Sequence, residues 1–424
     1  MSLKNAGVTL IDCDHRTPPE AGTGYPYIAI PQIKNGHIQL DGVRRISPEN
    51  FADWTKKLKP QANDVIVVRR CSSGDSAVVP RGLECAIGQN LVVLRSDGKR
   101  VTPEFLRWLV RGPDWWEQVD KFINVGAVFD SLKCREIPHF ELTIPPLNAQ
   151  REIAALLGAL DDRIALLRET NATLEAIAQA IFKSWFVDFD PVLAKAEGRV
   201  PEGMDEATAA LFPDGFEESE LGLIPRGWKV VSLGDVFDVT MGQSPPGHTY
   251  NEDEQGIPFY QGRTDFGFRF PKRRVYCSAP TRYAQLGDTL LSVRAPVGDV
   301  NIAIEKCAVG RGLAALRHPK GLSAFVYYQL NAMRSKLGAY NSEGTVFGAI
   351  NKNQLLSMKI VSTRDNFTIE KSFELIAAIL NMKIENNEKL IRGLTELLDI
   401  LLPHLISGKL RLPECQNGIE KTTA

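Results

Sequence analysis

The 424 residues contain no run of about 18 uncharged apolar side chains, and the opening Met1-Ser2-Leu3-Lys4-Asn5 has no secretory pattern. Neither a membrane span nor a signal peptide is expected. Cysteine is sparse and poorly arranged for a framework: seven residues, an odd number, at positions 13, 71, 85, 134, 277, 307 and 415, with no Cys-x-x-Cys. That pattern fits reduced thiols in a cytoplasm and argues against disulfides or a cysteine-based zinc site. The six histidines form no ligand pair at helical spacing, so no metal is expected. Gly-x-x-x-x-Gly-Lys-Ser/Thr, which would cradle nucleotide phosphates, is missing. Net charge is nearly missing too, at −1 from 50 Lys+Arg and 51 Asp+Glu. With 44% hydrophobic and 24% charged residues the chain reads as globular, and its length suggests two or three domains.

The charge balance conceals an asymmetry. Residues 1–146 hold 19 basic and 17 acidic side chains, hence +2, and residues 229–362 hold 16 and 10, hence +6. Between them, residues 186–228 hold 3 and 10, hence −7. The two mildly basic blocks resemble each other. Cys85-Ala-Ile-Gly-Gln-Asn-Leu-Val-Val-Leu-Arg95 aligns with Cys307-Ala-Val-Gly-Arg-Gly-Leu-Ala-Ala-Leu-Arg317, with six of eleven positions identical. Gly74-Asp75 matches Gly298-Asp299, Val128-Phe129 matches Val346-Phe347, and Gly24-Tyr-Pro-Tyr27 resembles Gly256-Ile-Pro-Phe259. Within the blocks, apolar runs broken by turn residues predict strands at Val65–Val68, Asn90–Leu94, Thr289–Val293 and Gly312–Leu316. Helices are predicted at Pro103–Val110 and Ser323–Leu330.

A long heptad pattern follows each block. The first seam runs Ile153, Leu157, Leu160, Ile164, Leu167, Asn171, Leu174, Ala178, Ile181, Trp185, and the second Phe373, Ala377, Leu380, Ile384, Asn387, Ile391, Leu394, Leu398, Leu401, Leu405. Steps of four and three sustained over more than four heptads predict a coiled coil. A buried asparagine needs a polar partner. With Ile153 level with Leu405, antiparallel packing sets Asn171 opposite Asn387, whereas parallel packing leaves both facing apolar residues. The expected architecture is therefore α+β: two similar mixed α/β domains separated by a pair of long antiparallel coiled-coil helices, about 50 Å long, with pseudo-twofold symmetry. The expected divisions are 1–146, a helix over 147–187, an acidic connector 188–228, 229–362, a helix over 363–410, and a tail 411–424. Two basic blocks on a rigid spacer suggest a reader of two sites on double-stranded DNA, roughly 15 base pairs apart at ~3.4 Å rise.

Four stretches carry a family resemblance. They are Ile144-Pro-Pro-Leu-Asn-Ala-Gln-Arg-Glu-Ile153, Phe182-Lys-Ser-Trp-Phe-Val-Asp-Phe-Asp-Pro191, Leu223-Ile-Pro-Arg-Gly-Trp-Lys-Val-Val-Ser-Leu-Gly-Asp235 and Leu405-Ile-Ser-Gly-Lys-Leu-Arg-Leu412. With them the chain resembles the specificity (S) subunits of type I restriction–modification systems. The opening motif at Leu223–Asp235 has no good counterpart before Thr9, and Ser362-Thr-Arg-Asp-Asn-Phe stands where a second Pro-Pro-Leu element would be. The resemblance implies a non-catalytic subunit binding a bipartite target, one half-site per recognition domain. It also implies two modification subunits that methylate adenine N6 with S-adenosylmethionine, and restriction (translocase–nuclease) subunits that use ATP and Mg. No cofactor is expected in this chain. The Asn/Asp-Pro-Pro-aromatic element that grips a flipped base is absent, consistent with chemistry residing in partners. A structural coiled-coil adaptor whose repeated domains bind protein is the alternative.

Phosphate contact needs Lys or Arg, and base readout needs Arg, Asn, Gln, Ser or Thr at groove edges. Candidates in the first block are Gln32, Lys34, Asn35, Arg44, Arg45, Arg69, Arg70, Ser72, Ser73 and Gln89. In the second they are Tyr260, Gln261, Arg263, Thr264, Arg273, Arg274, Arg294, Arg311 and Asn341. Arg69/Arg70 and Arg294 hold matching places in the repeat, as do Gln89 and Arg311. Trp185 and Phe186, at the end of the first helix, are expected to contact a partner subunit, the alternative being a hydrophobic plug within this chain.

Overall fold

A computed structural model describes residues 1–124, 130–341, 348–363 and 367–411. Cys415, the pairs Val128-Phe129 and Val346-Phe347, and most of the expected tail lie outside the described residues. The chain forms two compact units, one of residues 1–165 with 391–424 and the other of residues 166–390.

In the first unit, Val8–Asp12, Leu91–Ser96, Val65–Val68 and Ser76–Val78 form an antiparallel sheet in that order. Val65–Val68 and Leu91–Leu94 are buried on both faces, which explains their unbroken apolar runs. A second sheet places Tyr25–Ile28 antiparallel to Arg45–Ile46 and parallel to Ala86–Ile87. The second unit repeats both sheets. Asp238–Met241, Leu313–Arg317, Thr289–Ser292 and Val300–Ile302 form the first, and Ile257–Tyr260 runs parallel to Cys307–Val309 in the other. Gly74 and Gly298 turn the matching hairpins at φ +100° and +104°, a region in which a side chain is strained. Asp64 and Arg95 form a bidentate pair (2.6 and 2.8 Å), and Asp288 and Arg317 reproduce it (2.6 and 2.9 Å). The matched thiols Cys85 and Cys307 are both pushed up to about 12 by burial, which makes them packing groups.

The missing opening motif has a structural remnant. Lys229–Ser232 pairs with Lys359–Ser362, after which buried Leu233 donates its N–H to Met358 O. In the first unit a single bridge, Ser2 to Glu141, stands in that place, followed by buried Leu3 donating to Phe140 O. The predicted helices form at Pro103–Leu109 and Ser323–Ala332. Gln150 Oε1 accepts the Thr102 N–H that opens the former, and the Glu374 carboxylate accepts from Ala324 and Phe325 N–H at the latter.

The heptads form two helices, Leu147–Phe186 and Thr368–Ile406. Within the second unit they pair antiparallel: Asn387 Nδ2 donates to Asn171 Oδ1 (2.8 Å), and Asn171 Nδ2 donates to Glu388 Oε1 (3.0 Å). Arg269, fully buried, is clamped there by Glu175 and Asn381 and lies 4.2 Å from the Tyr327 ring centroid. In the first unit Asp161 binds Arg107 and His37. Burial opposes its charge, but the His37 hydrogen bond and the nearby Arg107 and Arg111 outweigh that and hold its carboxyl below the ordinary value.

One expectation is corrected. Trp185 and Phe186 are 4% and 6% exposed, inside the core of the second unit against Phe212, Trp228 and Phe373, so they offer no face to a partner. The acidic stretch that follows carries secondary structure of its own. It folds as helices Asp190–Ala196 and Glu206–Ala210 and a hairpin, Phe216–Ser219 with Gly222–Pro225. Val192, Phe212, Ile224 and Trp228 anchor it in that core while its carboxylates remain outside. Charge concealed these four apolar anchors from a reading by composition.

Candidate functional site

The repeated sheet places a comparable polar pair in each unit. Val68 pairs with Leu91, and the ladder continues through Arg69 N–H to Asn90 O (2.9 Å), so the register sets Arg70 opposite Gln89. Ser292 pairs with Leu313, and Val293 N–H reaches Gly312 O (2.9 Å), so Arg294 falls opposite Arg311. Both pairs lie just beyond the strand ends, and all four side chains are exposed. The backbone beneath them is held: Arg70 bridges to Ser131, and Arg294 to Ala349. Close packing sets the opposing turns. A Cβ on Gly88 would fall 2.8 Å from Ile28 O, and one on Gly312 would fall 2.4 Å from Gln261 O.

In the second unit this pair opens into a cleft of about 570 Å³ lined by Ser244, Gln261, Arg263, Thr264, Arg294 and Arg311, among others. Gln261 and Thr264 are exposed on its rim. Arg263 is committed to Asp299, which also binds Arg334.

Several other candidates serve the scaffold. Arg273 forms a bidentate pair with Glu305 (2.7 and 3.0 Å), and Arg274 binds buried Asp265 at 3.0 Å. Tyr260 is 1% exposed, and burial raises its phenol pKa, so the side chain cannot reach a ligand in solvent. Asn341 Oδ1 accepts the Val297 N–H at 2.7 Å and so holds the loop after Arg294. In the first unit Arg44 lies 3.7 Å from Glu20, Arg45 donates to Gly24 O, and Gln32 accepts from Ala29 N–H. Ser73 is buried with its hydroxyl on Arg69 O, and half-buried Arg69 reaches Leu132 O. Exposed Ser72 flanks Arg70. Lys34 and Asn35 project from the hairpin Ile33–Lys34 with His37–Ile38, Asn35 at φ +52°. Gln89 Nε2 donates to Thr17 Oγ1 at 3.1 Å, an exposed contact.

Two features escaped the sequence reading. Asp12, Cys13 and His15 bring possible ligand atoms within 4.8 Å of one another; Asp12 and His15 already hydrogen-bond at 3.0 Å. On the second long helix, Leu375, Ile379 and Met382 are 72%, 68% and 63% exposed at steps of four and three. That stripe is a second heptad, out of phase with the buried seam, and its spacing was visible beneath the stronger one. No helix among the described residues is long and apolar enough to cross a membrane.

Comparison with known proteins agrees with this geometry. The family model for the type I restriction modification DNA specificity domain matches twice, over residues 14–176 and 225–361. The chain is 32% identical over 407 residues to a Methanocaldococcus jannaschii protein assigned as the MjaX type I restriction enzyme specificity subunit, covering 92% of this chain and 88% of that one. It is 26% identical over 418 residues to the MjaIX specificity subunit of the same organism, covering 93% and 88%. The crystal structure of a type I restriction-modification system S subunit from M. genitalium shares the fold, with a TM-score of 0.56 at 16% identity over 96% of this chain and 95% of that one. Two copies of the specificity domain, matched in one chain of nearly full-length similarity, place this protein in the type I restriction–modification specificity subunit family.

Proposed function

We propose that the chain reads a bipartite target on double-stranded DNA, one half-site per recognition domain, and has no catalytic role of its own. The observation that carries this reading is the recurrence, on two copies of one sheet, of an exposed polar pair at equivalent register. The major groove admits a two-stranded ribbon, and Arg and Gln are side chains that read base edges there. Lys34 and the other exposed cations would hold phosphates.

The long helices would scaffold two modification subunits. The exposed stripe Leu375, Ile379, Met382 supports this, because a heptad left in solvent is matched by a helix from another chain. S-adenosylmethionine would be bound by those partners, and ATP and Mg by restriction subunits where present. Methylation at adenine N6 is the chemistry this reading assigns to the complex, in a cytoplasmic setting.

Co-expression with a modification subunit, followed by sequencing of host DNA for N6-methyladenine, tests the reading. One split motif with two specified halves around an unspecified stretch is the expected result. A complex that purifies intact and modifies no adenine would overturn it.

A further inference from the structure

Among the arginines of the second unit, ion pairing separates two kinds. Arg263, Arg269, Arg273, Arg274, Arg317 and Arg334 each bind a carboxylate. Arg294 and Arg311 bind none among the described residues; Arg168 and Arg282 also bind none, but they do not line the cleft. Yet Arg294 and Arg311 both line one cleft, just past the last ladder bond of their two strands. Two like charges around one cleft repel each other, and a structural role would have favoured an opposite or neutral partner. The arrangement makes sense when an acceptor-rich ligand enters between them.

The equivalent positions of the first unit hold Arg70 and Gln89, so the place is the same and the chemistry differs at one member. Arginine offers a fork that matches O6 and N7 of guanine, and glutamine offers a donor and an acceptor that match N6 and N7 of adenine. Both frames are rigid at the backbone, through the ladder bonds of Val293 and Arg69 and the bridges at Ala349 and Ser131. Preorganised forks of this kind distinguish bases, whereas a mobile cation only holds phosphate.

Resting on the proposed function, we infer that Arg294 and Arg311 are the specificity-determining pair of the second domain and read guanine in its half-site, and that Gln89, beside Arg70, reads adenine at the equivalent place in the other half-site. The Arg311/Gln89 difference would then account for one difference in sequence between the two halves.

The test uses the complex with its modification subunit and reads N6-methyladenine motifs for wild type, Arg311→Gln, Arg311→Lys, Arg294→Gln and Gln89→Arg. Arg311→Gln should relax or replace a single guanine in one half of the motif and leave the other half intact. Binding to the original site should weaken on the order of 10- to 100-fold. Arg311→Lys keeps the charge without the fork and should lose the same guanine. Gln89→Arg should move one adenine of the opposite half towards guanine. Thermal unfolding of the variants, expected to stay at or above that of wild type, separates misreading from misfolding. A motif unchanged in Arg311→Gln and Arg294→Gln overturns the inference while leaving the proposed function standing. So does Arg311→Lys with wild-type specificity, which assigns a phosphate contact. A wild-type complex that methylates nothing overturns both.

Discussion

His318 shows how burial converts one side chain into a pH dependence. It is buried, accepts the Lys320 N–H on Nδ1, and meets the Phe367 ring edge-on at 4.6 Å. Burial, with the Lys320 and Lys371 charges, lowers its pKa from 6.5 to about 4 against a smaller pull from Asp238. Between those values the unfolded chain takes a proton that the folded chain refuses, so stability is complete above pH 6.5 and falls as the pH drops towards 4. The loss at pH 5 is about 2 kcal/mol, on the order of 5 °C in melting temperature. His318→Phe should therefore narrow the difference in melting temperature between pH 7.5 and pH 5; scanning calorimetry at the two values checks it, and an unchanged difference rejects it. The residue scale is also where the sequence was hardest to read. Arg273, Arg274 and Arg294 look alike in the chain, and only the position of Glu305 and Asp265, brought in by folding, separates committed cations from uncommitted ones. Tyr260 likewise sits in a polar run, and its burial depends on strand pairing that local pattern does not contain.

The element scale was the most legible. Heptad spacing and the two seam asparagines anticipated the antiparallel pair, because 3.5-residue periodicity and the cost of an unpaired buried amide are both local rules. The structure adds Glu388, which accepts from Asn171 Nδ2 and lay outside the seam. Asn387→Leu alone leaves Asn171 Oδ1 without its donor, and Asn171→Leu strands Asn387 and Glu388, each a loss of about 1–3 kcal/mol. The double substitution restores an apolar layer and should recover most of it. A double-mutant cycle by chemical denaturation should show coupling of about 1–3 kcal/mol, and strict additivity would contradict the pairing. Strand positions were also legible from apolar runs. The stretch after Phe186 was not, since its carboxylates dominate composition while four apolar side chains decide its fold.

At the scale of the whole molecule, a net charge of −1 means that affinity for a polyanion must come from local surfaces. Among the described residues, exposed cations of the proposed contacts without a carboxylate partner are Lys34, Arg45, Arg70, Arg294 and Arg311. Binding by the assembled complex should weaken steeply with added salt, by ~10³ between about 50 and 200 mM if six phosphates are contacted. Lys34→Ala should reduce the slope of log K against log salt by about 1 and leave the methylated motif unaltered. An altered motif would move Lys34 from phosphate to base contact. The repeat was visible in the sequence through Cys85–Arg95 and Cys307–Arg317. The one-bridge remnant at Ser2 was not, because a strand reduced to a single bridge leaves no periodicity to detect.

The Asp64–Arg95 and Asp288–Arg317 pairs lie at one end of their strands and the exposed pairs at the other. If the exposed pairs read the target as proposed, fold and message are written in different residues of the same two strands. A lineage could then change Gln89 or Arg311 by single substitutions without touching the ion pair that secures the sheet or the long helices. Such a chain would acquire a new target as a heritable trait while keeping its scaffold, so its novelty would be borne by the genome it marks more than by its own stability.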